Sequence, residues 1–236
     1  MGWVTLEERD AVTILTADRP PANAMDLEFL SELVGTLERA GADPPPALVL
    51  AGRPGFFSAG VDLKAVPTYG PEDRRGLVSA INRMVLATYA MPCPVVAAIT
   101  GHAIAGGFVL AMCADHRIAS TQGRYGLTEV KVGVPYPAAA IGVVSAELAA
   151  PAARLLVLGN RLTDAAEGVR LGAFDEALEP DAVMPRALAV GAELAQLPAD
   201  VYAMTKQALR SEALASMRDA AAADPLLAPG TDGEAP

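Results

Sequence analysis

The sequence predicts an α/β fold in which a largely parallel sheet is covered by helices and followed by a helical C-terminal region. Three observations lead there. Short apolar runs bounded by turn residues alternate with longer helical stretches through the first two thirds of the chain. Hydrophobic residues make up 52% of the 236 residues but aromatics only 5%, so the core is built from Ala, Val and Leu, which suits close-packed helices over parallel strands. From Ala138 onward the pattern turns almost wholly helical.

In order, Ala11–Ala17 reads as a strand and Leu27–Ala40 as a helix, with Asp26 as its N-cap. After the Pro44–Pro46 turn, Ala47–Gly52 is a buried strand, as are Val95–Ile99 and His116–Ala119. Pro71–Ala90 forms a long connecting helix between them. The later helices are expected at Arg154–Gly159, Thr163–Leu171, Val183–Gln196 and Asp200–Met217. A boundary falls within Gly168–Pro185, giving a core over residues 1–175 and a helical region over 176–223. The Pro- and Gly-rich tail over 224–236 is expected to be disordered.

Composition excludes several function classes. With 18 Lys and Arg against 28 Asp and Glu, the net charge of −10 argues against a nucleic-acid surface, which draws on clustered cations. A local basic spot for a small phosphate stays open. Cys93 and Cys113 are too few for a disulfide framework and fit free thiols in a reducing compartment. The first residues are acidic and no apolar run spans a bilayer, so the expectation is a soluble, cytoplasmic protein that uses neither membrane nor nucleic acid. Cys113 and His116 lie three apart, but no further Cys or His completes a metal site. His102 and Ser58 invite a hydrolytic triad, yet the glycine elbow is missing because Phe56 stands two before Ser58. Dinucleotide and P-loop fingerprints are absent, and no cofactor is expected.

Two segments carry the chemistry. FSAGVDL, Phe57 to Leu63, and GHAIAGGFVL, Gly101 to Leu110, both place small residues where a backbone N–H can face a ligand. In the second, Ala105–Gly107 follows a strand and turn and opens an apolar helix, so the Gly106 N–H is unpaired and suited to an oxyanion. Taken alone, those glycines need do no more than permit a tight turn. Two such amides aimed at one oxygen make an oxyanion hole without a catalytic side chain.

These segments resemble the crotonase superfamily, the enoyl-CoA hydratases and isomerases. The matching stretches are Arg19–Leu33, Arg53–Leu63, Gly101–Ser120 and Arg124–Val134, in the family's order across most of residues 1–175. The resemblance implies a spiral of ββα units, a C-terminal helical trimerisation region, and a homotrimer or dimer of trimers. It implies an acyl-CoA thioester as substrate, with coenzyme A arriving as part of that substrate. It also implies Val61 and Gly106 as the oxyanion donors, within a substrate-binding loop that includes Ala59, Gly60 and Asp62, with Gly107 beside the second donor. Lys64 matches a CoA-contacting lysine, and Tyr136 is placed to line the acyl pocket; the blander readings are a solvated lysine, a loop-bracing Asp62 and a packing tyrosine. Asn23 and Ala24 lie in the segment that cradles CoA in relatives.

The family's hydratases place two glutamates around the substrate, and here only Glu129 is present; the other position is Val109. Hydration divides its work between two carboxylates, whereas a single carboxylate suits proton shuttling. The expected activity is therefore a Δ3,Δ2-enoyl-CoA isomerase with Glu129 as base and acid. The alternatives are a hydratase, lyase or hydrolase that finds its second polar group in Tyr136 or Tyr69, and an acyl-CoA-binding paralogue without activity. After Met217 the chain lacks the longer charged and aromatic helical tail of many relatives.

Overall fold

The computed structural model describes residues 2–228. A six-stranded sheet runs in the order β1 (Val4–Arg9), β2 (Val12–Ala17), β4 (Leu48–Ala51), β7 (Val95–Ile99), β9 (His116–Ser120) and β11 (Glu176–Leu178). Only β1 and β2 pair antiparallel; every other neighbour is parallel. Two smaller parallel sheets stand beside it. One joins β10 (Tyr125–Gly126), β8 (His102–Ile104) and β5 (Phe56–Ser58), the other β3 (Ala24–Met25) and β6 (Gly60–Val61).

The helices follow the strands in a repeating order. After β3 comes α1 (Leu27–Ala42), and α2 (Pro71–Tyr89) follows β4, β5 and β6. Next, α3 (Gly106–Met112) follows β7 and β8, and α4 (Glu129–Val132) follows β9 and β10. The third and fourth units are each a strand of the large sheet, a short strand of a small sheet, then a helix; the first adds β1 and the second adds β6 to that ββα pattern. The remainder is α5 (Ala138–Glu147), α6 (Ala150–Ala153) continuing into a π-turn over Arg154–Leu158, α7 (Ala165–Arg170), α8 (Pro180–Leu194) and α9 (Ala199–Ala222).

The continuous apolar strands of the sequence divide by alternation. Leu48 and Leu50 of β4 point into one core with Val95, Ala97 and Ile99 of β7, under α1, α2 and α3. Val49, Val96 and Ala98 point the other way, into a second core closed by Val183, Ala187 and Val190 of α8. A parallel strand with both faces covered must be apolar at every position, and all five residues of β7 are buried. The N-cap of α1 is Asp26, which accepts from Phe29 N at 2.9 Å. Buried Leu30, Leu33, Val34 and Leu37 then recur at helical spacing.

Three expectations need correction. Strand β1 carries Glu7, Glu8 and Arg9, which hid it from an apolar-pattern reading; it is a mostly exposed edge strand. Strand β11 interrupts the stretch expected to be helical throughout: its three half-buried residues are too short a run to announce a strand, yet they extend β9 in parallel. The tail also does not begin as a disordered one. Asp224 is buried and accepts from Asn82 Nδ2 at 3.0 Å and Ala138 N at 2.8 Å, which fixes a 3-10 turn over Pro225–Leu227 against α2. Residues 229–236, the rest of that expectation, lie outside the described residues. Among the described residues no helix is long and apolar enough to cross a membrane.

Candidate active site

The first motif is braced from beneath by a buried asparagine. Asn23, held at φ 50°, donates through Nδ2 to Ala17 O at 2.8 Å and Phe57 O at 3.0 Å. Ser58 Oγ donates to Asn23 O at 2.7 Å and accepts from Gly60 N at 3.1 Å, while Ala59 N donates to Ala22 O at 2.9 Å. Strand β6 then pairs with β3, Val61 opposite Met25. Asp62 N donates to Met25 O at 2.9 Å, so Met25 bonds on either side of Val61 and the Val61 N–H faces away from β3.

The loop turns immediately afterwards on Asp62. Its Oδ1 accepts from Lys64 N at 3.0 Å and Ala65 N at 3.3 Å, and its Oδ2 from Arg19 Nη1 at 3.2 Å. Burial pushes the Asp62 carboxyl up, but these donors and the Arg19 charge outweigh it and hold the group below the ordinary aspartate value. Arg19 also pairs with Asp26, tying the loop to the start of α1.

The second motif presses against the first. A side chain on Gly60, which sits at φ 77°, would bring its Cβ within 2.8 Å of Ile104 O and 2.9 Å of Gly106 N. One on Gly107 would meet Ser58 O at 2.4 Å. Glycine at these two positions is what lets the loops touch. Ala105 precedes Gly106 at φ 52° and ψ −124°, a region that costs a non-glycine residue on the order of 1–3 kcal/mol. Its N–H donates to Gly126 O at 2.8 Å and its carbonyl accepts from Val109 N at 3.0 Å. Gly106 opens α3, so its N–H has no partner within that helix.

Both amide-bearing residues line one cavity of about 430 Å³. Ala59, Val109 and Glu129 share it, and Glu129 is the sole carboxylate among the described lining residues. Val109 is completely buried. Glu129, the first residue of α4, is only 7% exposed. Burial raises its pKa above the ordinary glutamate value; the hydrogen bond from Tyr136 and nearby backbone donors oppose that shift without cancelling it. The Tyr136 hydroxyl donates to Glu129 Oε2 at 2.7 Å, and burial with that bond raises the tyrosine's own pKa.

The remaining sequence-derived residues are not among those that line the cavity; Tyr136, expected in the pocket wall, reaches it only through its bond to Glu129. Gly60 and Gly107 are spacers between the loops, and Asp62 braces its turn. Lys64 is exposed and absent from the cavity wall. Tyr69 is engaged elsewhere, its Oη accepting from Leu27 N at 3.2 Å. His102 Nδ1 accepts from Arg124 N at 3.0 Å, and His116 pairs with Glu176 at 2.9 Å, so neither serves Ser58. Sequence reasoning missed Arg74 and Leu226, which also line the cavity. Neither belongs to a motif; only the packing of α2 and the C-terminal turn brings them there.

A model of the enoyl-CoA hydratase/isomerase family matches residues 7–226. Among curated relatives, the probable enoyl-CoA hydratase EchA17 of Mycobacterium avium is 33% identical over 183 residues, covering 77% of this chain and 71% of its own. Human mitochondrial enoyl-CoA delta isomerase 1 is 32% identical over 225 residues, covering 91% and 74%. Among solved structures, the probable enoyl-CoA hydratase EchA3 of Mycobacterium tuberculosis superposes with a TM-score of 0.88 at 28% identity, over 94% of this chain and 95% of that one. Hydratase and isomerase names therefore both stand among the similar proteins.

Proposed function

The chain belongs to the enoyl-CoA hydratase/isomerase family, and on that premise we propose that it shifts a double bond from Δ3 to Δ2 in an enoyl-CoA thioester. The observation that carries this choice is that Glu129 is the single carboxylate among the described residues lining the cavity, with Val109 in the same wall. The thioester oxygen accepts from the Val61 and Gly106 N–H groups. Glu129, as carboxylate, removes a proton from C2. The electron pair moves into a dienolate whose oxygen carries the charge against the two amides. Glu129, now a carboxylic acid, returns the proton to C4, and the double bond settles between C2 and C3. No atom is gained or lost.

The environment of Glu129 supports a double role. A base that must also act as an acid works best when its pKa approaches the working pH, and burial moves it in that direction. The Tyr136 hydroxyl donates to Oε2, which holds the carboxylate in one orientation in the wall. Substrate access and assembly follow the family reading: an acyl-CoA thioester as the ligand, with α9 in the C-terminal helical region offering a surface for self-association.

The test is product identity. Incubation with a 3-enoyl-CoA is expected to give the 2-enoyl product without 3-hydroxyacyl-CoA. Prompt formation of 3-hydroxyacyl-CoA from a 2-enoyl-CoA overturns the isomerase reading in favour of a hydratase. Binding of both thioesters with turnover of neither, and no change on Glu129→Gln, marks a non-catalytic acyl-CoA-binding protein.

A further inference from the structure

The C-terminal turn enters the cavity wall through a latch that the proposed chemistry does not use. Asp224 is 4% exposed and accepts three hydrogen bonds: from Asn82 Nδ2 at 3.0 Å, from Ala138 N at 2.8 Å and from Leu226 N at 3.0 Å. Asn82 is itself buried, and its Oδ1 accepts from Ala139 N at 2.9 Å. The two side chains thus clamp α2, the start of α5 and the terminal turn together, far apart in sequence. Two residues on, Leu226 lines the cavity with Ile81 of α2 and with Pro137 and Ala140 at the start of α5.

The cavity is graded along α2. Arg74, in the first turn, also lines it; Ile81 and the latch residue Asn82 stand seven and eight positions later, about 10–12 Å along the axis. The wall near Leu226 is apolar, whereas the cation lies toward the other end of α2. A phosphate-bearing carrier suits the charged end and an alkyl tail the apolar one.

We propose that Leu226, held in place by the Asp224 latch on Asn82 and Ala138, is the residue that sets how long an acyl chain this cavity accepts. The inference rests on the reading of the cavity as an acyl-CoA site. A side chain at the apolar end contacts the terminal carbons of a chain that reaches it and blocks a longer one. Hydrophobic pockets discriminate one methylene by roughly 10-fold or more, so trimming this wall changes preference rather than chemistry.

The test is calorimetric titration of the full chain with saturated butyryl-, octanoyl- and dodecanoyl-CoA, which requires no turnover. Leu226→Ala is expected to shift the ratio of affinities toward the longest chain by about tenfold, and Leu226→Trp toward butyryl-CoA. Asp224→Ala, which frees the turn, is expected to reproduce the Leu226→Ala shift. Should Asp224→Ala unfold the protein, the half-buried Leu226 variants still decide. An affinity ratio in folded Leu226→Ala within about twofold of wild type overturns the proposal while leaving the acyl-CoA site standing. Failure of wild type to bind any of the three thioesters overturns both.

Discussion

The Tyr136 hydroxyl lies 2.7 Å from Glu129 Oε2 and donates its hydrogen bond to the one carboxylate among the described residues lining the cavity. The bond opposes the upward push of burial on the glutamate. Tyr136→Phe removes a donor that favours the ionised form, so the Glu129 pKa is expected to rise further. The acid limb of the pH–rate profile then moves to higher pH, with the alkaline plateau less affected. The measurement is kcat/KM for a 3-enoyl-CoA across pH; a limb that stays in place would remove the tyrosine from the mechanism.

Glu129→Gln keeps the shape of the side chain and removes its proton transfer. Activity is expected to fall by about 10²–10⁴-fold while acyl-CoA affinity changes little, read by comparing kcat with the dissociation constant of a saturated thioester.

The same substitution carries a stability signature. Burial raises the folded-state pKa of Glu129, so folding favours its protonated form. That contribution is complete below the unfolded-state pKa and is lost as pH climbs through the folded-state value. Glu129→Gln is therefore expected to melt above wild type at about pH 8, with the gap narrowing at about pH 4. Parallel melting curves at both pH values would contradict the assigned direction.

Gly60→Ala tests the contact between the two loops. Its Cβ would stand 2.9 Å from Gly106 N and 2.8 Å from Ile104 O, at a φ of 77° that disfavours any side chain. Displacing one amide donor is expected to lower kcat by about 10²–10³-fold. If the folded variant turns over at the wild-type rate, the loops need not touch for catalysis.

Away from the cavity, Asp115 anchors α9: it pairs with Lys206 at 2.6 Å and with Arg210 at 3.0 Å, both cations being buried. Asp115→Ala leaves both without that partner and is expected to cost about 3–5 kcal/mol in chemical denaturation. A loss below about 1 kcal/mol would show that the remaining carbonyl acceptors suffice.

Much of this molecule is legible in its sequence because the decisive features are local. The apolar runs at Leu48–Ala51 and Val95–Ile99 announce doubly covered strands, and Asp26 announces the start of α1. The motifs around Val61 and Gly106 lie far apart in sequence yet line one cavity with Glu129. What stayed hidden depends on partners remote in sequence. Strand β1 is charged because its edge faces solvent, β11 exists only because β9 is there to pair with it, and the Asp224 turn is ordered by donors on α2 and α5. No local pattern around Pro225–Leu227 contains those donors.

The proposed oxyanion donors are main-chain amides, and this has a consequence for heredity. Any codon change at Val61 other than one to proline leaves an N–H in place, provided the backbone holds its path. The Val61 side chain, by contrast, forms part of the cavity wall. Drift at that position can retune what the protein takes in while the machinery that stabilises the charge passes unaltered to the next generation. What the path cannot spare is Gly60, Gly107 and the buried Asn23 that shape it, so descendants of this chain that keep them should differ in appetite long before they differ in chemistry.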